Sequence, residues 1–199
     1  KWKTAGDSIT AALRLARPDS KNILIVGAGT VGQSLFDSYS AAFPKANFLV
    51  WNRTHERALY MVKNKSNAVA VENLEAGVKS ADIITCATMS KQPIIKGEWL
   101  IPGQHLDLIG AYRPDMREVD DSALCRSTKF VDSYDTTLDH IGELKIPLKN
   151  NVISRADILA DFYGLGNFIR RSNDEITFFK NGGGAHLDLI VAKYILTAW

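Results

Sequence analysis

At 199 residues the chain has room for one large or two small domains with a true hydrophobic core. Its 46% hydrophobic and 23% charged residues are ordinary for a globular protein in water. A net charge of +2 without any basic run argues against nucleic acid or a membrane surface as partner. No apolar segment approaches the length of a membrane span, and no signal peptide is visible. Cys86 and Cys125 are too far apart to suggest a disulfide framework or a metal site, so the cytoplasm is the expected compartment.

The chain opens at Lys1 without an initiator Met and runs directly into an amphipathic helical pattern (Ile9, Leu13, Leu15, Ala16). An upstream region is therefore expected, with 1–20 as a helix leading out of it. Ile23–Val26 is an apolar run of the kind buried in a parallel sheet. Thr30–Phe43 reads as a helix closed by Pro44, Phe48–Trp51 as a second strand, and Thr54–Lys65 as a helix with a charged face. Ala68–Val71 is a short strand, Asn73–Ser80 a helix, and Asp82–Ala87 a fourth strand. His105–Ile109 and Lys129–Asp132 follow as strands, and Cys125 falls in a helix. Beyond them Arg155–Tyr163 is expected to be helical, Gly164–Ser172 a loop, Glu175–Phe179 a strand, and Gly182–Gly184 the opening of a last helix to Trp199. Strands alternating with helices through short loops predict an α/β, doubly wound parallel sheet of Rossmann type, with 21–182 as its domain and 183–199 as a helix returning from it.

The glycine-rich turn after the first strand gives this sheet a chemistry. In Val26-Gly-Ala-Gly-Thr-Val-Gly32, Gly27 allows a tight turn, Gly29 lets backbone approach a pyrophosphate, and Gly32 lets the following helix pack close. Thr30 and Val31 open that helix, whose amides and positive dipole end favour phosphate. The second strand ends in Asn52-Arg53-Thr54 instead of the carboxylate that would bind a ribose 2′-hydroxyl. No negative charge there opposes a 2′-phosphate, and Arg53 can pair with one bidentately. NADP(H) is the preferred cofactor and NAD(H) the alternative; a surface arginine beside a helix cap at Thr54 is the plain reading.

Ligands of such sheets sit beyond the carboxyl ends of the strands. Four loops should converge there: Gly27–Gly32, Asn52–Thr54, the stretch Thr85, Cys86, Ala87, Thr88 and on to Ser90, and Ile109-Gly110 on to Arg113. Gly182 either adds a further helix N-terminus to this crevice or makes a simple strand–helix turn. Among the histidines, His55 and His105 read as structural or solvated. His140 lies near Asp135, Asp139 and Glu143 without metal-ligand spacing, and His186 either faces the crevice or starts a helix. No metal is expected. Cys86 reads as a small buried hydrophobe below the cofactor.

Several ordered segments together resemble the ornithine cyclodeaminase/mu-crystallin family. They are Lys3-Thr-Ala5, Leu15-Ala-Arg-Pro-Asp-Ser20, Val26-Gly-Ala-Gly29, Val50-Trp-Asn-Arg-Thr54, Ala81-Asp-Ile-Ile84 and Gly97-Glu-Trp99. Pro102-Gly103, Ile109-Gly-Ala111, Arg113-Pro-Asp-Met-Arg-Glu118, Val131-Asp-Ser133 and Phe179-Lys180 continue the likeness nearly to the end. The resemblance implies a two-domain homodimer. Its substrate pocket and dimer interface would come largely from an N-terminal region outside this chain, which alone would bind dinucleotide without turnover.

It also implies hydride exchange between a nicotinamide and the α-carbon of a small amino or imino acid. Family members are ornithine cyclodeaminases, alanine dehydrogenases, imino-acid reductases and NADPH-binding mu-crystallins. Cyclodeaminases carry an Asp two residues after the glycine of the fifth-strand loop, where this chain has Tyr112. A phenol of reference pKa near ~10 is a poor base at neutral pH, which favours reduction of a cyclic ketimine such as Δ1-pyrroline-2-carboxylate. Asp115 is the fallback carboxylate. Lys3 stands where many members have an Arg that grips the substrate carboxylate; it keeps the charge and loses the fork, and a solvated lysine is its plain reading. Tyr112 and Lys3 are thus the two expected catalytic positions.

Overall fold

The computed structural model describes residues 2–184, 188–189, 192–193 and 196–197. Its first element is the amphipathic helix α1 (Trp2–Leu15). The apolar run becomes β1 (Asn22–Val26), buried from Ile23 onward, as the middle of a parallel sheet requires. There follow α2 (Thr30–Ala42), β2 (Asn47–Trp51), α3 (His55–Val62), β3 (Ala68–Ala70), α4 (Leu74–Ser80) and β4 (Ile83–Cys86). The second half contributes β5 (His105–Leu108), α5 (Asp121–Cys125), β6 (Thr128–Val131), α6 (Tyr134–Thr137), α7 (Gly142–Lys149), β7 (Ile158–Ala160) and β8 (Thr177–Lys180). Among the described residues eight strands form one sheet in the order β3-β2-β1-β4-β5-β8-β6-β7, and every pairing is parallel.

Alternate side chains of the strands serve opposite faces, because successive Cβ atoms of a strand point to opposite sides. Ile23, Ile25, Phe48, Val50 and Ile83 pack with Leu35, Phe36 and Tyr39 of α2 and Ala5 and Ala12 of α1. Leu24, Val26, Ile84, Leu106, Leu108 and Phe178 pack with Val78, Leu124 and Leu144 on the other face. Each buried Val, Leu, Ile or Phe among them contributes about 1.5–3 kcal/mol, which makes both faces necessary to the sheet. Phe130, Phe162, Phe168 and Phe179 form a third, aromatic group beside α1, with ring centroids 4.8–6.1 Å apart.

Two polar residues interrupt the first of these faces. Asp107, fully buried on β5, accepts hydrogen bonds from Ser8 Oγ (3.0 Å), Tyr39 Oη (3.0 Å) and Thr85 Oγ1 (2.7 Å). Three hydroxyls from α1, α2 and β4 thus satisfy a carboxylate whose burial raises its pKa to about 6. His105, two residues earlier, is buried as well, and burial beside the Arg170 cation lowers it to about 3.

Some elements differ from the sequence expectation. The helix after β2 ends at Val62, not Lys65, because Asn64 turns into the left-handed region at φ 64°. Arg155–Tyr163 is not a helix. Ser154 and Asp157 bond reciprocally around a single 3-10 turn, and Ile158 and Ala160 then bury their side chains in β7 with Leu159 pointing out. A second 3-10 segment, Phe162–Asn167, occupies much of the expected loop. Of the last expected helix, residues 188–189, 192–193 and 196–197 are helical; His186 lies outside the described residues.

Candidate functional site

The loops at the carboxyl ends of β1, β2, β4 and β5 do meet. Gly27 has φ 111°, a left-handed value that favours glycine, and its N–H donates to Trp51 O at 2.8 Å. A Cβ on Gly27 would lie 2.7 Å from Ala87 O, so the turn rests directly on the β4 loop. A Cβ on Gly32 would lie 1.9 Å from Gly27 O, which accounts for the close approach of α2 to the turn. At Gly29 the same construction meets nothing within 4 Å. Glycine there is required by nothing in the protein, and the open space lies at the N-terminus of α2.

That helix start suits an anion. Gly29 is the N-cap of α2 and supplies no side chain to cap it. Among the described residues the amides of Thr30, Val31 and Gly32 have no hydrogen-bond acceptor, while Gln33 N–H returns to Gly29 O. Gly29, Thr30 and Val31 are exposed. Free first-turn amides at the positive end of a thirteen-residue helix fit the diphosphate of a dinucleotide.

Asn52 has a role that its residue type alone does not reveal. Its Oδ1 accepts Ala28 N–H (3.0 Å) and its Nδ2 donates to Thr54 O (2.9 Å), so it ties the end of β2 to the glycine turn. Arg53 is exposed, and its guanidinium has no partner among the described residues. Arg57 of α3, which the sequence reading passes over, is also exposed and joins Arg53 along a cleft of about 350 Å3 that runs from Gly27 to Thr88. Its signal is the four-residue spacing from Arg53 across a helix start. Thr54 caps α3 by position only, without a side-chain hydrogen bond.

At the far end of the cleft, Ala87, Thr88, Met89 and Ser90 form the opposite wall. Thr85 does not line it: the side chain turns to the other side of β4, into the Asp107 group. Cys86 is fully buried, its sulfur 3.8 Å from Thr88 Oγ1, and burial raises its thiol well above the usual value, so it supports the loop from below. Ile109 is nearly buried; the N–H groups of Ile109 and Gly110 both return to Cys86 O. Gly182 is likewise turned inward, where a Cβ would lie 2.7 Å from Thr137 Cγ2. Asp132, which also accepts Gly183 N–H at 2.7 Å, engages its backbone N–H, so the amides of Gly182 and Gly183 are both taken up within the protein.

The two expected catalytic positions stand apart. Tyr112 is 58% exposed on the β5 loop. Lys3 Nζ bonds Asp188 Oδ1 (2.8 Å) and Gly184 O (3.1 Å), so it is an engaged cation and not a freely solvated one. Asp115 pairs with Lys91 (3.0 Å) and Arg113 (3.3 Å) at the surface, and these cations hold its carboxyl below the usual range. No metal-ligand cluster occurs among the described residues, and no helix of theirs is long and apolar enough to cross a membrane.

Comparison with known proteins agrees with this geometry. The model of the ornithine cyclodeaminase/mu-crystallin family matches residues 1–199. The Delta(1)-pyrroline-2-carboxylate reductase of Paracoccus denitrificans is 49% identical over 98% of this chain and 64% of its own length. Mouse ketimine reductase mu-crystallin is 33% identical over 99% of the chain and 61% of its own. Among solved structures, Thermococcus litoralis Delta(1)-pyrroline-2-carboxylate reductase in complex with NADH and L-proline superposes with a TM-score of 0.90 at 30% identity. That match covers 96% of this chain and 62% of that one. The chain therefore belongs to the ornithine cyclodeaminase/mu-crystallin family, and it spans a little under two thirds of the length of these relatives.

Proposed function

We propose that the protein is an NAD(P)H-dependent reductase of a cyclic imino acid, with Δ1-pyrroline-2-carboxylate as the model substrate and proline as the product. The observation that carries the reading is the 49% identity with the Paracoccus reductase over 98% of this chain. On this reading 21–182 is the dinucleotide domain, 1–20 and 183–199 connect it to a substrate and dimer domain, and the working unit is a homodimer.

A nicotinamide held in the cleft would supply a hydride to the imine carbon, and a protonated imine needs little further activation. The residues of this chain bind and place. The free amides of Thr30, Val31 and Gly32 receive the diphosphate at the end of α2. Arg53 and Arg57, unopposed by any carboxylate on the β2 loop, receive a 2′-phosphate, which makes NADP(H) the preferred cofactor. Gly110, Ala111 and the exposed Tyr112, on the loop after β5, would wall the nicotinamide side. Holding donor and acceptor in contact then accounts for most of the rate. Lys3 can release Asp188, which is 71% exposed, to meet the substrate carboxylate.

A substrate screen tests the reading. Consumption of NADPH with the cyclic imino acid supports it. Ammonia release from ornithine without net cofactor change indicates a cyclodeaminase, and oxidation of alanine by the oxidised cofactor indicates a dehydrogenase. Tight NADPH binding without any turnover indicates a binding protein.

A further inference from the structure

Glu118 is a fully buried carboxylate that receives four hydrogen bonds, from the β4 loop that lines the cleft and from the β5 loop packed against it. Its Oε1 accepts the N–H and the hydroxyl of Thr88, each at 2.8 Å. Its Oε2 accepts Gly110 N–H at 2.8 Å and Ala111 N–H at 3.1 Å. Four donors fill the acceptor capacity of one carboxylate. The loops it joins follow β4 and β5, which are neighbours in the sheet. They touch closely: a Cβ on Gly110 would fall 2.0 Å from Thr88 O and 2.4 Å from Glu118 Oε1.

A second layer holds Glu118 itself. Glu143 Oε2 accepts Glu118 N–H at 2.7 Å, and Glu143 Oε1 accepts Val119 N–H at 3.1 Å. The fully buried Lys180 supplies the nearby positive charge, with its Nζ bonded to Leu108 O (3.0 Å) and Asn181 O (2.7 Å). Burying this much charge is costly, and the hydrogen bonds to Glu118, Glu143 and Lys180 offset that cost only while this arrangement is held. The arrangement lies at one end of the cleft only. Thr88 adjoins Ala87, on which the Gly27 turn rests, whereas Asn52, Arg53 and Arg57 at the adenosine end have no bond to Glu118 or Glu143.

We propose that Glu118 is the positioning residue of the reacting end of the cleft, fixing the spacing of the β4 and β5 loops and so the seat of the nicotinamide, while leaving the adenosine end independent. The proposal rests on the reading of this cleft as a nicotinamide site.

The test is Glu118→Gln, which keeps the shape but sets an NH2 group against N–H donors. Calorimetry with NADPH and with the fragment 2′,5′-ADP, together with the fluorescence of bound NADPH, reads positioning without any turnover. NADPH affinity is expected to fall about tenfold, as for the loss of one charge-assisted bond, with an altered emission of the bound cofactor and unchanged 2′,5′-ADP affinity. Single-turnover reduction should slow by about 30-fold or more, with a smaller change in KM. Equal losses for NADPH and 2′,5′-ADP, or no loss for either, would overturn the proposal. If Glu118→Gln does not fold, Thr88→Val removes one of the four bonds; the same selective loss, smaller, is expected, and an unchanged or unselective result overturns the proposal equally. Selective loss in a protein that reduces no imino acid would sustain the positioning role and refute the substrate reading alone.

Discussion

The carboxamide oxygen of Asn52 accepts the backbone N–H of Ala28 at 3.0 Å, so the residue that ends β2 also fixes the middle of the glycine turn. With its amide nitrogen on Thr54 O, Asn52 holds the peptide of Arg53 in one place while that side chain stays free in solvent. Arg53→Ala is therefore expected to weaken NADPH by roughly 1.5–3 kcal/mol, the range for charge-assisted hydrogen bonds, and to leave NADH nearly unchanged. Calorimetry with both cofactors checks this, and equal losses contradict it.

Gly29 and Gly32 separate binding from folding. Gly29→Val adds a side chain into space that only a ligand would fill, so the variant should fold and lose dinucleotide binding. Gly32→Val drives a side chain into Gly27 O and should destabilise the fold by several kcal/mol, within the range for severe backbone and packing conflicts. Thermal unfolding paired with a binding titration distinguishes the two. Normal binding by Gly29→Val would mean that the phosphate site lies elsewhere.

His105 carries a pH dependence of known sign. Thr177 Oγ1 gives its single proton to Leu15 O (3.0 Å), so Nδ1 of His105, 2.9 Å away, must be the donor. Nε2 is buried and has no partner among the described residues, and protonating it is opposed by burial and by Arg170. With a folded pKa of about 3 against 6.5 unfolded, the unfolded chain takes the proton first. The contribution is therefore present above pH 6.5 and is lost as pH falls. Asp107, raised to about 6, and Glu143, raised to about 7, act in the opposite sense over the same range, because the native state takes up their protons first. Wild type must then be compared with His105→Gln. The stability gap between them should shrink by about 2 kcal/mol from pH 7 to pH 5 in denaturant unfolding. A constant gap would show that His105 titrates normally.

On the proposed reading, Tyr112 is the residue that separates the reaction types. Cyclodeamination needs water activated at the imine carbon, and an exposed phenol is unsuited to that. Isotope-labelled ornithine with catalytic oxidised cofactor should give no sustained proline or ammonia. Production at a rate comparable to imine reduction would make Tyr112 the wrong discriminator.

The sheet and the glycine turn were legible because apolar runs such as Ile23–Val26 and the Gly27–Gly32 spacing are local signals. Residues whose roles depend on distant partners were not. Glu118 meets Thr88 thirty positions away, and nothing at position 118 itself announces four donors. By its place at a strand end Thr85 reads as a crevice residue, yet its side chain lies in the core, bonded to Asp107 22 positions on. β7 is three residues long, too short for its alternation to outweigh a helical composition. α7 starts at Gly142, packed against the Pro114 and Met116 carbonyls, and contains Pro147, so its sequence carries little helical signal.

The most direct test of the central claim is the fate of the hydride. The protein is supplied with Δ1-pyrroline-2-carboxylate and NADPH carrying deuterium at C4 of the nicotinamide on the transferred face, and the proline formed is analysed by mass spectrometry. The account predicts one deuterium per proline, located at the α-carbon, with one equivalent of cofactor oxidised. Proline formed without deuterium, or bound NADPH that is not consumed with the deuteride on either face, would contradict it.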